Sequence, residues 1–196
     1  HQDLILSGRR NLYYKLTCSF VLPRVLYFAD KIIVSSFDYI ENSNVQNYYF
    51  NNLNKFEELP FAADARFCPE KKDGVLLSEL GFIASDFIAL FVGGLDSAHY
   101  FKGVNFLIRA ISLIKEKRIK ALIVGSGDLR KQYEDQARAL GLTDRIKFTG
   151  YIKRELLPKY YNLSDIFVLP SINKNEAFGI VLIEAMVCGK PLIAWT

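Results

Sequence analysis

Between residues 87 and 194, short apolar runs alternate with segments of helical periodicity, and this alternation constrains the chain more than any other feature. The runs fall at 87–92, 121–124, 146–148, 166–169 and 192–194. Helical segments separate them at 104–115, 129–140, 154–161 and 178–187. The first of these is clearest, with Val104, Leu107, Ile108, Ile111 and Ile114 on one stripe. Continuous apolar runs of this length fit strands buried on both faces, and the order predicts a parallel sheet covered by helices. Ligands of such sheets sit at the carboxyl ends of the strands. Four of those ends carry turn residues: Gly93 and Gly94, Gly125 and Gly127, Gly150, and Pro170. Glycine there allows either a tight turn or the close approach of backbone to a phosphate or base.

The first third is less regular. A helix is expected over 11–29, kinked at Pro23, which has no N–H. A strand is expected over 32–36, a helix over 38–49 with an Asn-rich end, and a strand over 55–59. Residues 60–74 are polar and contain Pro69 and Gly74, so they are read as a linker.

Composition narrows the function classes. There are 25 Lys+Arg and 21 Asp+Glu, a net charge of +4, mixed along most of the chain and not gathered on a stripe. That argues against nucleic acid as a partner. Cys18, Cys68 and Cys188 lie far apart among apolar neighbours and read as free buried thiols in a reducing compartment. With no C-x-x-C pair, and with His1 and His99 the only histidines, the sequence offers no metal site. No apolar window of 18 or more residues exists to cross a membrane, so a cytoplasmic location is expected.

Gly125-Ser126-Gly127 follows a strand and precedes a helix, but the third glycine of a dinucleotide fingerprint is missing, since Lys131 and Gln132 follow. The next strand end carries Gly150 where an acidic residue would bind a ribose, so a nicotinamide dinucleotide is not the expected ligand. The densest chemistry lies in Glu176-Ala-Phe-Gly-Ile-Val-Leu-Ile-Glu184, two carboxylates eight positions apart. A helix beginning near Phe178 or Gly179 presents unpaired N–H groups and a positive dipole end, suited to a phosphate. Glu184 stands in an otherwise apolar helix, where a carboxylate needs a partner or an opening. From spacing alone, sugar-hydroxyl acceptors and ordinary helix charges remain equally open readings.

The run Pro170-Ser171, Glu176 to Met186, Gly189-Lys-Pro-Leu-Ile-Ala194 closely resembles the signature of glycosyltransferase family 4. Its two glutamates match the E-x7-E motif. Further matches lie in order at Ala29–Ser36, Phe91–Asp96, Lys102-Gly103, Ile123–Gly127 and Ile146–Gly150, covering nearly the whole chain. The resemblance implies a retaining, metal-independent hexosyltransferase of GT-B fold, an α/β architecture of two Rossmann-like domains. Residues 1–65 would end the acceptor-side domain, 66–82 would link, and 83–196 would form most of the donor-side domain with its parallel sheet. The chain would then be an excerpt, cut at both ends and inactive alone.

By the same resemblance, Glu184 would bind the donor ribose and Glu176 the donor sugar. The backbone at Phe178, Gly179 and Ile180 would hold the diphosphate or sugar, and Lys102 would neutralise the diphosphate as it leaves. Gly94, Gly125 and Gly127 would line the cleft, with Gly150 and Tyr151 holding the base. His1 would face the sugar from the acceptor-side domain. No cofactor is implied beyond the co-substrate, a UDP- or GDP-linked sugar. The acceptor would be a glycan or lipid-linked sugar in polysaccharide or glycolipid synthesis. One departure stands out. Many family members carry an Arg after the first strand's glycine, paired with the Lys; this chain has Gly94, leaving Lys102, assisted by His99. The alternatives are an epimerase, a phosphorylase or a non-catalytic nucleotide-sugar module of the same fold. Arg9, Arg10, Lys15, Arg24 and Lys31 interleave with Tyr13, Tyr14, Phe20, Tyr27 and Phe28. The preferred reading is a buried domain helix with cationic ends. The second is a peripheral contact with the anionic inner face of a membrane.

Overall fold

The computed structural model describes residues 17–172 and 179–194. The chain divides into two compact units, His1–Ala62 and Ala63–Thr196.

In the first unit a π-helical turn, Thr17–Val21, runs into α1, Leu22–Phe28. Pro23 falls in the first turn of α1, directly after the π-helical turn, and Val21 at their junction keeps helical φ and ψ of −88° and −48°, so the helix runs through Pro23 with its hydrogen-bond pattern changed there. No residue of α1 is buried within this chain; residues 11–16 of the expected helix lie outside the described residues. Strand β1, Ile32–Val34, pairs in parallel with β2, Phe56–Glu58, in the register Ile32↔Phe56. The helix expected over 38–49 is two helices, α2 Phe37–Glu41 and α3 Gln46–Asn51. Side chains take over the backbone's partners at the break. The Asn42 amide donates to the Asp38 carbonyl at 2.9 Å and the Ser43 hydroxyl to the Ile40 carbonyl at 2.8 Å. Ile40, Tyr49 and Phe56 form a small core, with the Tyr49 and Phe56 rings edge to face at 5.0 Å.

In the second unit, residues expected as a linker carry structure. Helix α4, Gly74–Glu79, is capped by Asp73, whose carboxylate accepts from the Val75 and Leu76 N–H groups. Phe67, Leu77 and Phe82 are buried in the main core. Cys188 is buried as expected, but Cys68 is exposed.

The main sheet contains β3 Phe87–Val92, β4 Ile119–Val124, β5 Ile146–Gly150, β6 Ile166–Leu169 and β7 Leu192–Ala194. Its order is β5-β4-β3-β6-β7 and every pairing is parallel. Helices α5 Val104–Leu113, α6 Arg130–Ala139, α7 Leu157–Leu163 and α8 Ile180–Val187 connect the strands. The chain builds outward from β3 through β4 to β5, then returns to lay β6 on the other side of β3. Strand order therefore reverses between β3 and β6, the point where such sheets open a crevice at their carboxyl ends. The β3–β6 ladder stops at Leu90↔Phe167, although β3 continues to Val92 and β6 to Leu169. Ile88, Leu90, Leu122, Ile123 and Phe167 are fully buried in the middle of the sheet. Ile88→Val is expected to cost about 1 kcal/mol, the usual loss for one buried methylene. Urea denaturation of the chain measures it.

Candidate functional site: the carboxyl ends of the strands

The loops after β3, β4 and β5 are tied together by backbone hydrogen bonds. Gly93 N donates to the Val124 carbonyl at 3.0 Å, Leu95 N to Ser126 at 2.9 Å, and Gly125 N to Gly150 at 2.9 Å. The Ser97 N–H donates to the Asp128 carboxylate at 2.8 Å. Gly125 holds φ at 149°, a region side chains rarely adopt, and a Cβ there would overlap the Gly93 carbonyl. A Cβ on Gly127 would overlap the backbone of Leu95 and Asp96. These two glycines let three strand ends meet in one shelf. A register shift between Ile123 and Val124 on β4 places Gly150 opposite Val124 at its edge. Tyr151 is exposed just beyond it.

Gly94 stands against a pair of side chains. A Cβ there would stand 2.9 Å from the Asp96 carboxylate and 3.0 Å from His99 Nδ1. The same pair is closed on itself, with His99 Nδ1 at 2.8 Å from both Asp96 oxygens. An Asp–His pair thus stands beside the position where the resemblance expects an arginine. Burial pushes the Asp96 carboxyl up, but the hydrogen bond and charge of His99 bring it below the usual range. Asp96 also accepts from the Ala98 N–H at 3.0 Å, capping a 3-10 helix, Ser97–Lys102.

Lys102 ends that helix. Its Cδ lies 3.0 Å from where a Cβ on Gly93 would stand, so its stem rests over the tip of β3. The next residue, Gly103, has φ at 71° and packs against the Pro170 carbonyl; Ile172 N donates to the Phe101 carbonyl at 2.8 Å. Lys102 is therefore fixed where the β3 tip meets the β6 tip, at the reversal of strand order.

Beyond β6, Gly179 caps α8 with φ at 48°, and Ile180 begins the helix, exposed. Glu184 is buried one turn further on. The Tyr161 hydroxyl donates to its Oε2 at 2.8 Å, and Arg154 Nη1 lies 3.3 Å from its Oε1. Burial pushes the Glu184 carboxyl up; Tyr161's hydrogen bond and Arg154's charge oppose this, and the Asp64 charge adds to it. Burial beside Glu184 pushes the Tyr161 hydroxyl far above its ordinary value.

The structure thus gathers Gly94, Gly125, Gly127, Gly150 and Lys102 at the strand tips, while Glu184 is held by α7 and Arg154. His1, Glu176 and Phe178 lie outside the described residues. Sequence reasoning did not find Asp96, Arg130, Arg154 or Tyr161. The 96/99 spacing was the available signal for the first. Arg130 lies against Gly150, donates to the Phe148 carbonyl at 3.3 Å and pairs with Glu134 at 2.7 Å. Tyr161 was readable only as a buried phenol in need of an acceptor. Among the described residues no helix is long and apolar enough to cross a membrane.

Architecture and shelf together define an α/β protein of the GT-B type. Residues 77–195 match the family model of Glycosyl transferases group 1, and the chain belongs to that family. It is 36% identical to an uncharacterised glycosyltransferase of Methanocaldococcus jannaschii over 145 residues, covering 74% of this chain and 34% of that one. It is 30% identical to the D-rhamnosyltransferase WbpZ of Pseudomonas aeruginosa, covering 99% of this chain and 47% of WbpZ. Among solved structures it is similar to HepE of Anabaena in complex with UDP. That match has a TM-score of 0.74, 24% identity, and coverage of 99% of this chain and 52% of HepE. The chain therefore spans between 34% and 52% of the length of these relatives.

Proposed function

We propose that this chain is the donor-nucleotide part of a retaining glycosyltransferase that moves a hexose from a UDP- or GDP-linked sugar to the hydroxyl of a glycan or lipid-linked acceptor. In the reaction the bond from the anomeric carbon to the diphosphate oxygen breaks, and its electron pair leaves with the diphosphate. The acceptor oxygen forms the new bond and gives up its proton. The observation that carries the reading is the position of Lys102, a cation fixed beside a shelf of close-packed backbone at the reversal of strand order. A cation there stabilises the charge that develops on the departing diphosphate, the task of a preorganised electrostatic site. His99, fixed by Asp96 beside Gly94, is the second nitrogen group available to the diphosphate. Gly125, Gly127 and Gly150 offer close backbone approach to the nucleotide, Tyr151 flanks the base, and Glu184 accepts from ribose hydroxyls. Glu176, His1 and the backbone of Phe178, Gly179 and Ile180 are assigned to the donor sugar.

Relatives support the ligand class: WbpZ is a D-rhamnosyltransferase, a relative in Escherichia coli is an O-antigen chain mannosyltransferase, and HepE is seen with UDP. Calorimetric titration of the chain with UDP and GDP, with and without EDTA, tests the proposal. Weak saturable binding that EDTA leaves unchanged is expected. No heat at millimolar nucleotide, or binding that EDTA abolishes, would overturn the corresponding part.

A further inference from the structure

Around Glu184 the two carboxylate oxygens have unlike partners. Tyr161 is fully buried, stacked on Phe167 at 5.6 Å and set edge-on to Phe67 at 5.5 Å, so its hydroxyl has little freedom. Arg154 reaches in from solvent, its side chain 50% exposed against 3% for Glu184, and its guanidinium lies over the Phe67 ring at 5.7 Å. One partner is built into the core; the other is half exposed and can move away from the carboxylate. We infer that Tyr161 and Arg154 are positioning residues for Glu184, Tyr161 fixing Oε2 while Arg154 is the exchangeable partner of Oε1, the oxygen that a donor ribose takes. The inference rests on the proposed ribose role of Glu184.

A carboxylate accepts from two neighbouring hydroxyls only while it is ionised, and burial opposes ionisation. The groups that face Glu184 divide by sign. Tyr161 from α7 and Arg154 from the turn before it favour the anion. Asp64, on the segment before α4, disfavours it, and Cys188 lies beyond the C-terminus of α8. Arg66 pairs with Asp64 at 2.6 Å and lies 3.9 Å from Glu155. Removing either favourable partner raises the proton affinity of Glu184 further. The ionised form is then lost at a higher pH as the solution is acidified.

The test is calorimetric titration of the full chain with UDP from pH 5 to 8.5, with thermal melts reporting folding. Tyr161→Phe is expected to weaken binding roughly tenfold even at pH 8.5, the usual size for a hydrogen bond to a charged group, and to move the acid limb upward. Arg154→Ala is expected to move the acid limb upward while leaving affinity at pH 8.5 equal to or tighter than the parent's; Arg154→Lys restores the parent limb. Acid limbs of the two deletions that superimpose on the parent's overturn the inference. So does an Arg154→Ala loss at pH 8.5 as large as that of Tyr161→Phe, which would make Arg154 a direct ligand contact. Arg154 is half exposed, so its variants keep the test valid if Tyr161→Phe does not fold. Glu184→Gln separates the two layers. If it binds UDP as the parent does, the ribose role fails and this inference with it. If it binds weakly while the other limbs stay in place, the inference fails alone.

Discussion

Gly125→Ala is expected to cost about 3–5 kcal/mol of folding stability and to abolish nucleotide binding. Two effects add. A φ of 149° is outside the range of an L side chain, and such strain alone costs about 1–3 kcal/mol. The added Cβ also meets the carbonyl of Gly93, which is backbone and cannot rotate away. That carbonyl belongs to the loop whose N–H bonds to Val124, so relief requires β3 and β4 to part at their tips. The matched control is Gly74→Ala. Nothing lies within 4 Å of a Cβ there, and its position in the first turn of α4 is compatible with alanine. The control is expected to be neutral or slightly stabilising, through a less flexible unfolded chain. Urea midpoints of the two variants, with UDP titration of each, provide the measurement. An alanine at 125 with the parent's midpoint would mean that the shelf is not closed as described.

The second unit was largely legible because its strands are buried on both faces. The runs at 87–92 and 166–169 coincide with β3 and β6 because each is apolar from end to end and bounded by turn residues. Legibility failed where short-range chemistry competes with periodicity. The helix expected over 38–49 breaks because Asn42 and Ser43 bond back to the turn they leave. Residues 60–74 read as polar, yet Phe67 reaches the core from between exposed neighbours. An isolated apolar residue leaves no periodic trace. The site shows the same division. Gly125 and Gly150 fell at strand ends, which the order of elements makes readable, whereas Lys102 stood at a helix start and was assigned by resemblance. The partners of Glu184 were not readable, since Tyr161 is 23 positions away and only the tertiary fold brings them together. Gly94 stood out as a departure, but the Asp96–His99 pair beside it needed geometry to be seen.

Lys102→Met is expected to raise the UDP dissociation constant at least tenfold while leaving uridine binding unchanged, and to slow sugar transfer in the full-length protein by roughly a hundredfold or more. Methionine is the informative replacement, because the lysine stem packs over Gly93 and alanine would remove packing together with charge. The charge matters at two stages. In the bound nucleotide it meets a diphosphate already negative, which affects affinity. As the glycosidic bond breaks, a further negative charge gathers on the leaving oxygen, and the fixed cation stabilises that state more than the ground state. The loss in rate should therefore exceed the loss in affinity for the intact nucleotide sugar. His99→Ala should give a smaller loss in the same direction, because Asp96 is left to repel the diphosphate; His99→Ala combined with Asp96→Ala should recover part of it. Comparing UDP with uridine separates a diphosphate contact from general disruption, since uridine keeps base and ribose but carries no phosphate. Equal losses for both ligands, or an unchanged UDP affinity in the folded methionine variant, would remove Lys102 from the diphosphate site.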